Sequence, residues 1–205
     1  MKNRAILIGG FHEMIELCES CHMDIVGIID NDIGQKFMGY EILGGDEIAK
    51  DLFQSYGNIP IIVSPDHPSI RKKLVTYYSA IGFDCATVVS PAAWVSKSAQ
   101  IGRGVVVQSG VNVSSFAVIG NFVKLNTNAN VMHDCRVGDF STIAPNAVLL
   151  GKVSIGECCY IGANATILPG KNIGVGATIG AAAVVTKDVA TNVIVVGNPA
   201  KELSS

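Results

Sequence analysis

Charge is scarce in this sequence, and neither sign is in surplus. Charged residues make up 16% of the 205 residues, and 15 lysines and arginines nearly balance 17 aspartates and glutamates, for a net charge of −2. Such a chain offers no basic surface to nucleic acid or anionic lipid. Its 49% of hydrophobic residues also excludes a disordered chain. We therefore expect a folded protein with no nucleic-acid partner.

Long apolar runs and targeting signals are missing as well. No run approaches the roughly 18 consecutive apolar residues of a membrane span. The residues Met1–Arg4 lead straight into a short apolar segment, without the apolar region and cleavage site of a signal peptide. The six cysteines lack the spacing of a disulfide framework. The sequence therefore predicts a cytoplasmic protein with no membrane partner.

Two cysteines raise the possibility of a zinc site. Cys18 and Cys21 form a C-x-x-C pair, with His12 and His22 nearby. However, Met14, Cys18 and Cys21 fall on one face of a predicted helix, where thiols pack as small apolar side chains. A second cysteine pair at metal-ligand spacing is missing. We favour the core interpretation and expect no metal site.

A six-residue period dominates the second half of the chain. Isoleucine, leucine or valine occupies sixteen consecutive positions at this spacing: Val95, Ile101, Val107, Val113, Ile119, Leu125, Val131, Val137, Ile143, Leu149, Ile155, Ile161, Ile167, Ile173, Ile179 and Val185. Neither an α-helix nor a simple strand needs such a rule. The period is typical of a parallel β-helix with three flat sides, about 18 residues per coil and therefore about five coils. The period alone does not fix the handedness.

The first ninety residues follow a different pattern, in which short apolar runs alternate with helix-like stretches. The predicted strands are Ala5–Ile8, Ile25–Ile29, Ile59–Val63 and Thr87–Val89. Three helices are predicted: one begins near Glu13, the second spans roughly Asp46–Tyr56, and the third carries apolar residues from Ile70 to Ile81 on one face. This alternation predicts a small parallel α/β unit. We place the domain boundary near Ser90-Pro91, which gives domains at residues 1–90 and 91–205.

A glycine turn in the first domain is a candidate phosphate-binding turn. Gly9, Gly10 and Phe11 follow the first strand and precede a helix, and Asp30 ends the second strand about 20 residues later, where a carboxylate can bind a ribose hydroxyl. The spacing is not G-x-G-x-x-G, and the alternative is a plain tight turn with a solvated aspartate. The residues alone leave both interpretations open.

One histidine stands among the predicted coils. His133 and Asp134 follow the inward-facing Val131 by two and three residues, which places the pair at a corner, pointing outward. An imidazole accepts a proton near neutral pH, and a neighbouring carboxylate strengthens it as a base. An isolated surface histidine is more often inert. A single histidine also cannot supply the three ligands of a zinc-dependent β-helix enzyme.

Several motifs together resemble a known family. They are the segment Val131–Phe140 (VMHDCRVGDF), the ending Val196–Lys201 (VGNPAK), and a helix with Ile70–Leu74 (IRKKL) before a Gly82-Phe83 turn. With the hexapeptide repeats and the α/β domain, they resemble hexapeptide acetyltransferases of the nucleotide-amino-sugar N-acetyltransferase and sialic acid O-acetyltransferase family. The resemblance implies a Rossmann-like βαβ domain followed by a left-handed parallel β-helix, and a homotrimer.

The resemblance also implies roles for individual residues. His133 would be the general base and Asp134 its orienting carboxylate. The acetyl-CoA positions would be Thr142, Gly151, Ala163 and Ala181, and the substrate-binding positions would be Gly10, Phe11, His12, Asp30, Asn31 and Asn126. Some relatives carry a second histidine where this chain has Thr142, and the glycine turn is shorter than the usual family form.

The function implied is acetyl transfer from acetyl-CoA to the 4-amine of a nucleotide-linked amino-deoxy sugar, in surface polysaccharide biosynthesis. Two alternatives remain. One is an O-acetyltransferase acting on sialic acid or a related sugar hydroxyl. The other is a non-catalytic scaffold that binds a nucleotide sugar.

Overall fold

Short parallel strands build both halves of the chain, which the computed structural model describes over residues 4–32, 34–57 and 59–203. The first half has the strands β1 (Arg4–Ile8), β2 (Asp24–Ile29), β3 (Lys36–Phe37), β4 (Tyr40–Gly44) and β5 (Ile61–Val63), the helices α1 (His12–Ser20), α2 (Ala49–Tyr56) and α3 (Pro68–Ile81), and a 3-10 turn at Asp46–Ile48. The sheet order is β3-β4-β2-β1-β5, and all pairs are parallel except β3–β4.

Apolar strands and amphipathic helices explain this α/β unit. Three of the four predicted strands and all three predicted helices are confirmed in it. Helix α1 buries Met14 and Cys18 against the sheet, as the core interpretation of the thiols expects. Helix α3 begins with Pro68, whose missing N–H is harmless in the first turn, and ends at Gly82 with φ 119°.

The second half is a stack of coils made from two-residue and three-residue strands. These are β6 (Val88–Val89), β7 (Trp94–Val95), β8 (Gln100–Ile101), β9 (Val106–Val107), β10 (Asn112–Val113), β11 (Val118–Ile119), β12 (Lys124–Leu125), β13 (Asn130–Val131), β14 (Arg136–Val137), β15 (Thr142–Ile143), β16 (Val148–Leu149), β17 (Ser154–Ile155), β18 (Tyr160–Ile161), β19 (Thr166–Ile167), β20 (Asn172–Ile173), β21 (Thr178–Ile179), β22 (Val184–Val185), β23 (Ile194–Val196) and β24 (Lys201–Glu202).

Every coil from β7 to β22 repeats after 18 residues. Asn112 pairs with Asn130 and Asn130 with Val148, and the other two sides keep the same register. Three sheets result, with the orders β22-β19-β16-β13-β10-β7, β20-β17-β14-β11-β8 and β24-β23-β21-β18-β15-β12-β9-β6. The hexapeptide repeat and these parallel sheets fit a left-handed β-helix.

The hexad positions form the core of the stack. From Val107 to Val185 every one of them is buried, and the partly buried Val95 and Ile101 lie at the open N-terminal end. The last coil is shorter than the others. Ile173 bridges to Val189 and Thr178 pairs with Ile194, so the paired residues are 16 apart in the sequence and not 18. The strict period therefore ends where the sequence series ends.

The strand predicted at Thr87–Val89 belongs to the coils and not to the first sheet. Its residues Val88–Val89 pair with Val106–Val107. The outward side chains of this side of the stack, among them Val106, Lys124 and Thr142, are buried where the α/β unit packs on the coils. Among the described residues, no helix is long and apolar enough to cross a membrane.

Candidate active site

His133 and Asp134 form a pair at the corner between β13 and β14. The imidazole Nδ1 lies 2.9 Å from Asp134 Oδ2, and the two side chains are 54% and 46% exposed. Asp134 has φ 60°, the left-handed conformation that every coil uses for its turns. This corner geometry lets two neighbouring side chains contact each other, which adjacent residues of a flat strand cannot do.

Gly151 lies against His133, one coil further along the stack. A methyl group built on Gly151 would come within 2.6 Å of both Cε1 and Nε2 of the imidazole. The Gly151 carbonyl accepts from Gly170, and Lys152 donates to the His133 carbonyl. Within the described part of the chain, the Gly151 N–H has no hydrogen-bond acceptor. The site therefore combines an exposed imidazole, a carboxylate on its Nδ1, and a neighbouring glycine whose N–H has no acceptor among the described residues.

A separate cleft of about 360 Å³ opens at the carboxyl ends of β1 and β2. Phe11, Asp30 and Asn31 line it, together with side chains from the β5–α3 loop and α3. Asp30 accepts from the Gly10 N–H at 2.8 Å and from the Asp32 N–H at 2.9 Å, so it fixes the glycine turn to the end of β2. The cleft is where parallel α/β sheets bind ligands.

Gly10 does not line the cleft, and neither does His12. His12 is the first residue of α1, and its ring packs edge-on against Phe37, with 4.7 Å between the centroids. Lys73 and Ile70 of α3 do line the cleft, although the sequence identified them only as part of a family-like helix motif.

Asn126 is buried where the α/β unit meets the coils. Its amide Nδ2 lies 3.4 Å from both carboxylate oxygens of Asp66, and Lys124 Nζ lies 2.6 Å from Asp66 Oδ1. Burial lowers the pKa of Lys124, and the neighbouring Asp66 opposes that shift. Nothing in the sequence pattern marked Asp66 or Lys124, because a single charged residue in a loop or strand looks solvated.

Thr142 does not lie on an open surface. Its hydroxyl is fully buried, donates to the Asp66 carbonyl and accepts from Arg71 Nη2 at 2.9 Å. The side chain is therefore unavailable to a bound CoA in this arrangement, which corrects the role that the resemblance implied. The reason is that the α/β unit covers this side of the coils.

Ala163 and Ala181 share one edge of the stack. They occupy the same turn in consecutive coils, and the Ala182 N–H donates to the Ala163 carbonyl at 2.8 Å. This edge joins the sheet of β18 and β21 to the sheet of β19 and β22, whereas His133 lies at the edge between β13 and β14. Within one chain, the structure therefore does not bring His133 together with these alanines or with the cleft.

The thiols of the C-x-x-C pair lie at the C-terminal end of α1. Cys18 is buried, and burial raises the pKa of its thiol to about 12. Cys21 is half-buried, and its thiol donates to the Val89 carbonyl at 3.3 Å. Among the residues that the structure describes, no three histidine, cysteine or acidic side chains are placed to hold a metal ion.

Comparison with known proteins adds to this geometry. A family model described as bacterial transferase hexapeptide (six repeats) matches residues 116–151 and 137–169. A search of curated proteins by sequence finds no match.

Solved structures match the chain over almost its whole length. PerB from Caulobacter crescentus, in complex with CoA and GDP-perosamine, is 32% identical with a TM-score of 0.92, over 98% of this chain and 97% of that one. A GDP-perosamine N-acetyl transferase from the same organism, with a histidine replaced by alanine, is 31% identical with a TM-score of 0.94 over the same shares.

A third match comes from another organism. The acetyltransferase domain of PglB from Neisseria gonorrhoeae, in complex with acetyl coenzyme A, is 30% identical with a TM-score of 0.91, over 99% of this chain and 100% of that one.

The coils, the paired His133 and Asp134 and these full-length likenesses lead to one conclusion. The protein belongs to the nucleotide-amino-sugar N-acetyltransferase family of hexapeptide-repeat proteins.

Proposed function

We propose that the protein transfers the acetyl group of acetyl-CoA to the 4-amine of a nucleotide-linked amino-deoxy sugar, with His133 as the general base. The observation that carries the proposal is the contact of His133 with Asp134 on one side and Gly151 on the other. Two of the structures similar to this chain were solved with CoA and GDP-perosamine or with acetyl coenzyme A. GDP-linked 4-amino sugars are therefore the first acceptors to test.

The geometry supports a direct transfer. The sugar amine attacks the thioester carbonyl, and Nε2 of His133 takes the proton that the nitrogen loses. Asp134 accepts the Nδ1–H, which fixes the tautomer with Nε2 free and stabilises the imidazolium that forms. The unpaired Gly151 N–H stabilises the negative charge on the carbonyl oxygen. When the C–S bond breaks, the imidazolium returns the proton to the CoA thiolate.

The nucleotide would bind in the cleft of the first domain. We take residues 1–90 as a Rossmann-like nucleotide-sugar domain and residues 91–205 as the transferase domain. Asp30 places a carboxylate in the cleft for ribose hydroxyls, and Phe11 offers an exposed ring to a base or sugar. Gly10 and Asn31 complete the end of the sheet, and Lys73 supplies a positive charge for the diphosphate.

A homotrimer would complete the site. The His133 corner and the cleft lie on different sides of one chain, so a second copy must bring them together. Phe116 occupies the turn one coil below Asp134, and its side chain is 67% exposed, as expected of a residue that a neighbouring copy covers. Acetyl-CoA would then lie between copies, along the backbone of Ala163 and Ala181. We place the enzyme in the cytoplasm, in surface polysaccharide biosynthesis.

The test is a panel of acceptors. The wild-type protein is incubated with acetyl-CoA and GDP-, UDP- or dTDP-linked 4-amino sugars, with free sialic acid as the hydroxyl acceptor, and thiol release is followed. Alkaline hydroxylamine then distinguishes the products, because it cleaves an acetyl ester and leaves an amide intact. We expect turnover on a nucleotide amino sugar and a resistant product. A cleavable product on sialic acid would indicate the O-acetyltransferase, and silence with every acceptor would indicate the scaffold.

A further inference from the structure

We infer that Asp66 binds the sugar part of the substrate, as a hydrogen-bond acceptor that works beside Asn126. The inference rests on the proposed function and assigns it a substrate-binding residue. Asp66 lies in the loop between β5 and α3, at the junction of the two domains. No sequence motif indicated it, and it lies outside the His133 corner.

The Asp66 carboxylate is held in one orientation and keeps one side open. Lys124 Nζ, itself buried, lies 2.6 Å from Oδ1 and also donates to the Ser64 carbonyl at 2.7 Å. Oδ2 lies 3.4 Å from Asn126 Nδ2. The Asp66 side chain is 48% exposed. Lys124 therefore fixes the carboxylate through Oδ1, and the half-exposed side chain keeps acceptor capacity for a ligand.

Asn126 adds a second acceptor that the chain leaves unsatisfied. Its amide group must turn the NH₂ toward Asp66, because the opposite orientation would place two acceptors together. The amide Oδ1 is then buried without a partner among the described residues, and so is the Ser64 hydroxyl. Unpaired buried polar atoms are uncommon, and a ligand that donates hydrogen bonds accounts for them.

Arg71 fixes the backbone of this loop relative to the coils. Its buried guanidinium donates from Nη1 to the carbonyls of Pro65 and Asp66, at 2.9 and 2.8 Å. From Nε and Nη2 it donates to the coil carbonyls of Phe122 and Phe140, at 2.8 and 2.6 Å. Asp66 is therefore held in place by both domains, which is what an accurately placed binding group requires.

The position of Asp66 continues the nucleotide cleft. Pro65, its neighbour, lines that cleft together with Phe11, and Lys124 Nζ lies 6.0 Å from the centre of the Phe11 ring. A nucleotide in the cleft therefore directs its sugar past Phe11 toward Asp66 and Asn126. Sugar hydroxyls and a protonated amine are hydrogen-bond donors, which match the acceptors on offer here.

The experiment separates sugar binding from nucleotide binding. GDP-perosamine, GDP and CoA are titrated by calorimetry into wild type, Asp66→Asn and the control Asp51→Asn, which changes an exposed carboxylate on α2. Asparagine keeps the shape of the side chain and the backbone contacts of Asp66. We expect Asp66→Asn to bind GDP and CoA as wild type does, but GDP-perosamine about 10-fold to 100-fold more weakly. In turnover, KM for the sugar should rise more than kcat falls.

Three results would overturn the inference. One is unchanged binding of GDP-perosamine by Asp66→Asn. Another is a parallel loss of GDP affinity, CoA affinity and melting temperature, which would assign Asp66 a structural role only. The third is a wild type that binds GDP-perosamine no more tightly than GDP. If the wild type acetylates the sugar and the Asp66→Asn variant does so with the same kinetics, the inference is refuted and the proposed function stands. A wild type inactive with every acceptor would refute both.

Discussion

The imidazole of His133 packs against Gly151, one coil further along the stack. A methyl group on Gly151 would lie 2.6 Å from both Cε1 and Nε2, so a side chain there would displace the imidazole. The φ of Gly151 is not in the left-handed region, so the position requires glycine for space and not for backbone freedom.

The variant Gly151→Ala tests this contact. Because alanine fits the backbone, the fold should survive, while the methyl group pushes the imidazole away from the acceptor. We expect kcat to fall by at least about 100-fold, since small displacements of a reacting group have effects of that size. The matched control is Gly34→Ala, where nothing lies within 4 Å of the added carbon. Equal activity of the two variants would show that the position of the imidazole does not matter.

Asp134 has two functions that one substitution can separate. Its carboxylate holds His133 Nδ1, and its backbone forms a left-handed turn at φ 60°. Asparagine tolerates that conformation but cannot stabilise the imidazolium, so Asp134→Asn should fold normally and lose about 10-fold to 100-fold in kcat. The control Asn192→Asp makes the reverse change in another left-handed turn. A lower melting temperature with unchanged kcat would assign Asp134 to the turn alone.

Arg71 should dominate the stability of the domain junction. Its replacement by methionine leaves the carbonyls of both domains without their donor, so we expect a loss of about 3–5 kcal/mol in the free energy of unfolding. Arg71→Lys keeps the charge but not the planar donor geometry, and should rescue only part of this. Urea denaturation measures both, with the exposed Lys72→Met as control on the same helix. An Arg71→Met variant as stable as that control would contradict the role of the guanidinium.

Buried Cys18 makes stability depend on alkaline pH. Burial raises the pKa of its thiol to about 12 in the folded chain, whereas the pKa of a thiol in the unfolded chain is about 8.5. The stabilisation is complete below the unfolded value and is lost as pH rises toward the folded one, by about 2 kcal/mol at about pH 10. Denaturation of wild type and Cys18→Ala across this range should show a steeper decline in the wild type. Parallel curves would mean that the thiol is accessible to solvent when folded.

Most of the fold could be predicted from the sequence, because the buried positions of the coils recur every six residues. Each buried hexad position, such as Val131 or Leu149, occupies the same place in its coil, so one rule identifies them all. The paired strands β3 and β4 were missed because their residues, such as Lys36 and Tyr40, do not alternate as a half-buried strand does. Thr142 was misassigned because nothing in the hexads shows which side of the stack the α/β unit covers.

The corners of the coils could have been predicted from a second periodicity. The left-handed turn positions also recur every six residues, and many carry glycine or asparagine, which tolerate that conformation. Asp134 belongs to this series, which would have placed the His133 pair at a corner without assuming it. Arg71 and Asp66 leave no such signal, because their partners in the coils are carbonyls and side chains more than fifty residues away.

The most direct test of the account is the turnover of wild type and His133→Ala with acetyl-CoA and the best nucleotide amino sugar of the panel, both saturating. The control His22→Asn changes an exposed histidine that lies outside the site and keeps its left-handed turn. The account predicts that kcat falls by about 10²- to 10⁴-fold in His133→Ala alone, while calorimetry shows unchanged binding of both substrates. A His133→Ala variant that turns over as fast as the wild type would contradict it.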